Sequence, residues 1–367
     1  MQDENFMDQI YMEKNIVPTY QKIQNDANPI YIWGIGALAN NLPVFCRTHS
    51  IKVQGFFVDT DKNTDFFQGL PVYELNELVE KHSSFSVIIG HSDYEEGVKR
   101  LEDIPNIDNV YFITSLCYEI YHLITDEFMK KEEEVMNYIF ADLHDDYSKE
   151  CLRSYFEARI NDNAKYMFPY YKKGTTYWIN DIFELTYDEL LLDVGACVGD
   201  AIQTFVRSVS GRYKGIIAVE PDGQNFSKLQ ANMIKRGVDN IIFRQECLYN
   251  QDGYVYFEGE KERGGICKDT GRGRSCSATT IDSLCRKLGV EQSLSIIKIN
   301  FPFSVPEILF GARGTLQSIR PKIIIRAGFD ERVLLASYRV IKEINPEYRI
   351  YLRYTLGIPQ GLTLFAV

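Results

Sequence analysis

The stretch L-L-D-V-G-A-C-V-G-D, residues 191–200, decides how the chain is read. An apolar run of strand length ends at Asp193. Gly195 and Gly199 then permit a tight turn and a close backbone approach, and Asp200 stands where the next helix begins. Working outward, G-I-I-A-V-E (215–220) predicts a second strand ending at Glu220, followed by a helix over 224–236. Strands follow at 240–246, 253–257, 294–300 and 321–327, with helices over 279–288, 306–318 and 332–341. Residues 348–354 and 362–367 read as a closing antiparallel pair, and the Gly/Arg/Cys-rich segment 259–277 as a loop. Strands alternating with helical stretches imply an α/β fold with a parallel sheet and crossover helices.

The turn has D-x-G-x-x-x-G spacing, not the G-x-G-x-x-G of a dinucleotide fingerprint. A pyrophosphate favours a bare helix N-terminus. An acidic residue beside the turn suits instead a cationic, amino-acid-bearing ligand such as S-adenosylmethionine. Glu220, ending the next strand, is placed to accept ribose hydroxyls. The alternative is an acidic loop around a purely structural turn.

From about Tyr177 to Val367 the chain resembles the FkbM family of S-adenosylmethionine-dependent methyltransferases. The resemblance rests on Y-W-I-N-D-I-F, the 191–200 turn, A-V-E-P-D-G-Q-N-F, T-T-I-D-S-L, I-I-K-I-N, G-A-R-G-T-L, R-P-K-I-I-I and Y-R-I-Y-L-R-Y, in order. It implies a class I methyltransferase-like sheet and O-methylation of a hydroxyl on a saccharide or related small molecule. By position it implies Asp193, Gly195 and Gly199 around the methionine end of the cofactor, with Ala196 and Asp200 also cofactor-binding. Glu220 and Pro221 fall at the ribose, and Glu246 and Cys247 near the adenine. Cys247 reads equally as a small core residue. Asp282, in the T-x-D-x-L turn, reads also as a helix cap.

Where the family shows K-I-D-x-E-G-x-E, this chain has K-I-N-F-P-F-S-V (298–305), and a Tyr-His pair is replaced by Gly328-Phe329. Asn300 thus stands in place of a carboxylate. Asn300 and Lys298 are the acceptor-side candidates, although Lys298 reads also as a satisfied strand-end lysine. Asn positions a hydroxyl but does not take its proton efficiently. All five histidines (49, 82, 91, 122 and 144) precede the methyltransferase-like half. Two readings follow: a rebuilt acceptor pocket, or a catalytically inactive binding or scaffold protein of saccharide assembly.

The N-terminal half carries a second α/β pattern. P-I-Y-I-W-G-I-G-A-L-A (29–39) predicts a strand, a glycine turn and a helix over 37–48, with Pro43 interrupting it. Further strands fall at 53–59, 86–90 and 109–113, with a helix over 74–82. The run resembles the Rossmann-like N-terminal domain of nucleotide-sugar-modifying enzymes. Gly34, Gly36 and Asp59 are candidate nucleotide ligands, a structural turn being the alternative. A nicotinamide-dependent activity there is opposed by the incomplete glycine pattern. The expected division is a helical segment (1–28), a Rossmann-like domain (29–114), a helical connector (115–186) with helices over 129–140 and 149–160, and the methyltransferase-like domain (187–367).

Composition bounds the rest. The formal net charge of −11 argues against a nucleic-acid partner. No C-x-x-C pair or local Cys/His cluster suggests a metal, and the eight cysteines read as free thiols of a reducing compartment. Neither a signal peptide nor an apolar run of membrane-spanning length is read, so the expected site of action is the cytoplasm. The expected partner is a small-molecule acceptor, a sugar or nucleotide-sugar, with no membrane; an oligomer is compatible with the sequence. The Gly-, Lys- and Arg-bearing stretch 259–275 reads as a lid over an anion or as an ordinary hairpin connection.

Overall fold

The computed structural model describes residues 5–114, 116–117, 120–260, 263–267, 274–301 and 304–367. The chain forms two compact units. One comprises Met1–Glu134, Glu150–Lys173 and Leu356–Gln360; the other comprises Val135–Lys149, Gly174–Thr355 and Gly361–Val367.

The first unit is built on β1 (Ile30–Trp33), α1 (Leu42–Thr48), β2 (Val53–Val58), β3 (Leu70–Glu74), α2 (Leu75–Lys81), β4 (Phe85–Ile89), α3 (Tyr94–Leu101) and β5 (Ile107–Tyr111). The strands lie parallel in the order β3-β2-β1-β4-β5, with residues 66–67 antiparallel to β3 at one edge. β1 and β4 are buried along their whole length, as strands of a parallel sheet covered on both faces must be. Ile32, Phe45, Phe56 and Ile88 fill one face; Tyr31, Trp33, Phe57, Phe85 and Tyr94 fill the other. Residues 356–360 complete that second face. The N–H of Tyr94 donates to the Gly357 carbonyl (3.0 Å), Gln360 Nε2 donates to the Thr114 carbonyl (3.1 Å), and Ile358 enters the core beside Trp33. The helix expected over 37–48 starts only at Leu42, with Pro43 in its first turn, where the missing N–H costs nothing. Residues 37–41 form turns instead.

Helices span Asp126–Asp142 (α4) and Asp146–Ile160 (α5). The second unit then runs β6 (Leu190–Val194), α6 (Asp200–Ser208), β7 (Gly215–Val219), α7 (Gly223–Lys235) and β8 (Ile241–Arg244). It continues with β9 (Cys247–Leu248), β10 (Gly253–Glu260), β11 (Arg263–Cys267), β12 (Arg274–Thr279), α8 (Ile281–Leu288) and β13 (Ile296–Ile299). It ends with α9 (Val305–Phe310), α10 (Arg313–Ser318), β14 (Lys322–Arg326), α11 (Glu331–Ile344), β15 (Ile350–Tyr354) and β16 (Leu362–Ala366). The main sheet has the order β8-β7-β6-β13-β14-β16-β15. β16 runs antiparallel to both of its neighbours, and the other pairings are parallel. This is class I methyltransferase topology, with the expected antiparallel pair at the C-terminus.

Two expectations are corrected. The 259–277 loop is largely strand: β10 pairs antiparallel with both β11 and β12 in a separate four-stranded sheet, β9-β12-β10-β11. Residues 261–262 and 268–273 lie outside the described residues. The single helix expected over 306–318 is two, broken at Gly311-Ala312. A Cβ on Gly311 would collide with the Tyr249 carbonyl oxygen, so a distant backbone sets the break.

Candidate functional site

At the carboxyl end of β6 the chain turns through residues 195–199 into α6. Gly195 (φ +71°) and Gly199 (φ +93°) are left-handed, as is Cys197 (φ +50°), a conformation that side-chain-bearing residues rarely hold. Close backbone packing enforces Gly195, and the left-handed φ favours glycine at 199. A Cβ on Gly195 would lie 2.7 Å from the Asn300 carbonyl oxygen, and one on Gly199 would lie 2.5 Å from Met233 Cε. The Gly195 and Ala196 N–H groups both donate to the Val219 carbonyl (3.0 Å each), which ties the turn to the end of β7.

Glu220 follows directly and anchors the turn from the side. The Cys197 N–H donates to its Oε2 (2.8 Å) and the Asp222 N–H to its Oε1 (2.9 Å). The carboxylate is buried, and that burial pushes its pKa up to about 7; the two N–H bonds oppose the rise, and the Asp222 and Asp193 carboxylates add to it.

Strand register makes the second feature. Asp193 on β6 and Lys298 on β13 are direct cross-strand partners. Lys298 Nζ donates to Asp193 Oδ1 at 2.8 Å, with both side chains almost wholly buried. The ammonium also sits 5.8 Å from the Tyr177 ring centroid. Among the described residues, Asp193 Oδ2 and Asn300 Oδ1 are buried with no hydrogen-bond partner. Asn300 itself is fixed by its N–H donating to the Val194 carbonyl (3.0 Å).

A pocket with about 200 Å³ of empty space opens beside the turn, lined by Gly195, Pro221, Glu246, Cys247, Phe301 and Ile308 among others. Glu246 accepts from Arg244 Nε at 2.7 Å. A hydrogen bond with Cys276, together with burial, pushes the Cys247 thiol well up, so it is held protonated. Phe301 is buried, with its ring edge 3.6 Å from where a Gly195 Cβ would stand.

Asp193, Gly195, Ala196, Gly199, Glu220, Pro221, Glu246, Cys247, Lys298 and Asn300 therefore gather at the carboxyl edge of one sheet. Asp200 is exposed on the first turn of α6. Asp282 serves another helix: it accepts the N–H groups of Gly314 and Thr315 (2.7 and 2.8 Å) and the Thr315 hydroxyl (2.7 Å), while Thr280 caps α8. Gly328 donates its N–H to the Leu362 carbonyl (2.8 Å), and the Phe329 ring lies 4.9 Å from the Arg326 guanidinium. Only His144 of the five histidines falls in this unit, packed on Tyr351 of β15, three strands from β13. Gly34, Gly36 and Asp59 belong to the first unit, after β1 and β2. The sequence offered no sign of Cys276 beside Cys247. Pro302 and Phe303 lie outside the described residues.

The crystal structure of methyltransferase FkbM from Methylobacillus flagellatus KT matches this chain with a TM-score of 0.66, over 96% of this chain and 94% of that one, at 17% identity. The fold is methyltransferase-like. Precorrin-6y C5,15-methyltransferase from Geobacter metallireducens GS-15 (TM-score 0.31, 12% identity, 49% of this chain, 80% of that one) is much more distant. So is an rRNA methylase from Streptococcus thermophilus (0.30, 12%, 50%, 87%). No protein-family model and no curated protein matches the chain. Among the described residues, no helix is long and apolar enough to cross a membrane.

Proposed function

We propose that the second unit binds S-adenosylmethionine beside the 195–199 turn and methylates a hydroxyl of a saccharide or related small molecule. The observation that carries this reading is the Glu220 carboxylate bonded to the turn, with the unpartnered Asp193 Oδ2 nearby. Both are acceptors, and the cofactor offers the matching donors: an ammonium and two ribose hydroxyls. When bound, it supplies a methyl group on a good sulfonium leaving group. Gly195 and Gly199 let the backbone pass close to such a ligand, Pro221 and Glu246 flank it, and Asp193 and Glu220 hold its donors. Lys298 donates to Asp193 Oδ1 and so fixes that carboxylate in place. Asn300 Oδ1 is the group that would orient an acceptor hydroxyl, since much of methyl transfer is in-line positioning.

A second reading has its own support. Phe301 is buried, lines the pocket and lies against Gly195, so its ring stands in the space beside the turn. On this reading the protein is a non-catalytic methyltransferase-like binding or scaffold component.

Calorimetric titration with S-adenosylmethionine separates the two. Wild-type binding, weakened at least about tenfold by Glu220→Gln, supports the methyltransferase reading and justifies a screen of sugar acceptors with labelled cofactor. Binding that emerges only after Phe301→Ala supports the closed relict. Folded protein that binds in neither form overturns the cofactor assignment.

A further inference from the structure

The geometry points to a second ligand site, in the first unit, for a nucleoside diphosphate. In the sheet order β3-β2-β1-β4-β5 the direction of strand addition reverses between β1 and β4. In open α/β sheets, ligands bind outside the carboxyl ends of strands at such a reversal, because the two following loops diverge to opposite faces and leave a crevice. Gly34-Ile35-Gly36 follows β1, and Gly90-His91 follows β4.

The groups at this crevice fit the parts of a nucleotide. Packing within the unit already explains Gly90, where a Cβ would meet Ala39 Cβ at 2.7 Å. It does not explain Gly36: φ is not positive there, and a Cβ would meet nothing within 4 Å. Among the described residues, the N–H groups of Ile35, Gly36 and Ala37 donate to no protein acceptor, and Gly36 and Ala37 are exposed. Successive free N–H groups at an open glycine turn make an anion cradle suited to a diphosphate. Asp59 follows β2, the neighbour of β1, where a carboxylate meets a ribose. Its Oδ2 is paired with Arg100 (3.0 Å), while Oδ1 is buried without a partner among the described residues. The half-exposed Arg100 guanidinium lies 6.0 Å from the Trp33 ring centroid. It can leave Asp59 to a ribose diol and swing to a phosphate. The exposed His91 ring stacks on Trp33 at 5.5 Å and 27°, offering its outer face to a base.

Trp33 is one of two tryptophans, so a Trp178→Phe protein reports on this crevice alone. Titrated with ADP and with UDP, it is expected to show a saturable change in Trp33 emission with at least one of them. Gly36→Val and Asp59→Asn should each weaken that binding by about tenfold or more, and Glu220→Gln should leave it unchanged. Gly36→Val has room for its side chain and tests the cradle without strain. Calorimetry on the wild-type chain gives the same readout should Trp178→Phe fold poorly. No response to either nucleotide at millimolar concentration overturns the proposal. So does binding that Gly36→Val leaves intact. Inorganic diphosphate binding as tightly as the nucleotide, indifferent to Asp59→Asn, overturns the nucleoside assignment.

Discussion

Glu220 sits in an environment that its sequence context does not announce. A strand-end glutamate invites a solvated, ionised reading; burial lifts it to about 7 instead. The folded state thus holds this proton more tightly than the unfolded chain, whose value is near 4.5. The stability this contributes is complete below pH 4.5 and is lost as pH rises through about 7. Between pH 4.5 and pH 8 the wild-type protein should lose about 3 kcal/mol relative to Glu220→Gln, read by urea unfolding across a pH series. Parallel stability curves for the two proteins would refute it. The place of Glu220 was legible, because the apolar run G-I-I-A-V ends at it. Its charge state was not, because desolvation depends on what packs around it. The same holds for Lys298: its partner Asp193 lies 105 positions away and meets it only through the register of β6 and β13.

At the scale of elements, that register has an energetic consequence. Two charges buried together stand or fall as a pair. Lys298→Met should cost about 3–5 kcal/mol by stranding the Asp193 carboxylate, and adding Asp193→Asn should recover a large part of it. Thermal unfolding of the two proteins measures this; a double variant as unstable as the single would show that the stranded carboxylate is not what destabilises Lys298→Met. Strands with continuous apolar runs, such as β6, β7 and β14, were legible because turns bound them. β11 and β12 were not: glycine, serine and arginine there give no period of two, and pairing with β10 forms the sheet anyway. Nor was the break at Gly311 legible, since it is imposed by the Tyr249 backbone from far along the sequence.

At the scale of the molecule, the two α/β patterns were legible as two sheets, while the assignment of residues 356–360 to the first unit was not. A short segment between two strands carries no signal of where it packs. Its contribution is testable. Ile358 is 4% exposed in the core with Trp33 and Tyr94, so Ile358→Ala should destabilise the first unit by about 2–5 kcal/mol. Earlier loss of Trp33 emission in urea, in a Trp178→Phe background, is the measurement; an unmoved transition would show the segment to be ornamental. The segment also bears on how the protein is made. A ribosome delivers the chain from its amino end, and a domain encoded in one early block begins to fold while the rest is still being threaded. The first unit lacks that head start: the last piece of its core emerges only with residues 356–360, after nearly all of the second unit has left the tunnel. Until then the apolar face around Trp33 and Tyr94 is incomplete.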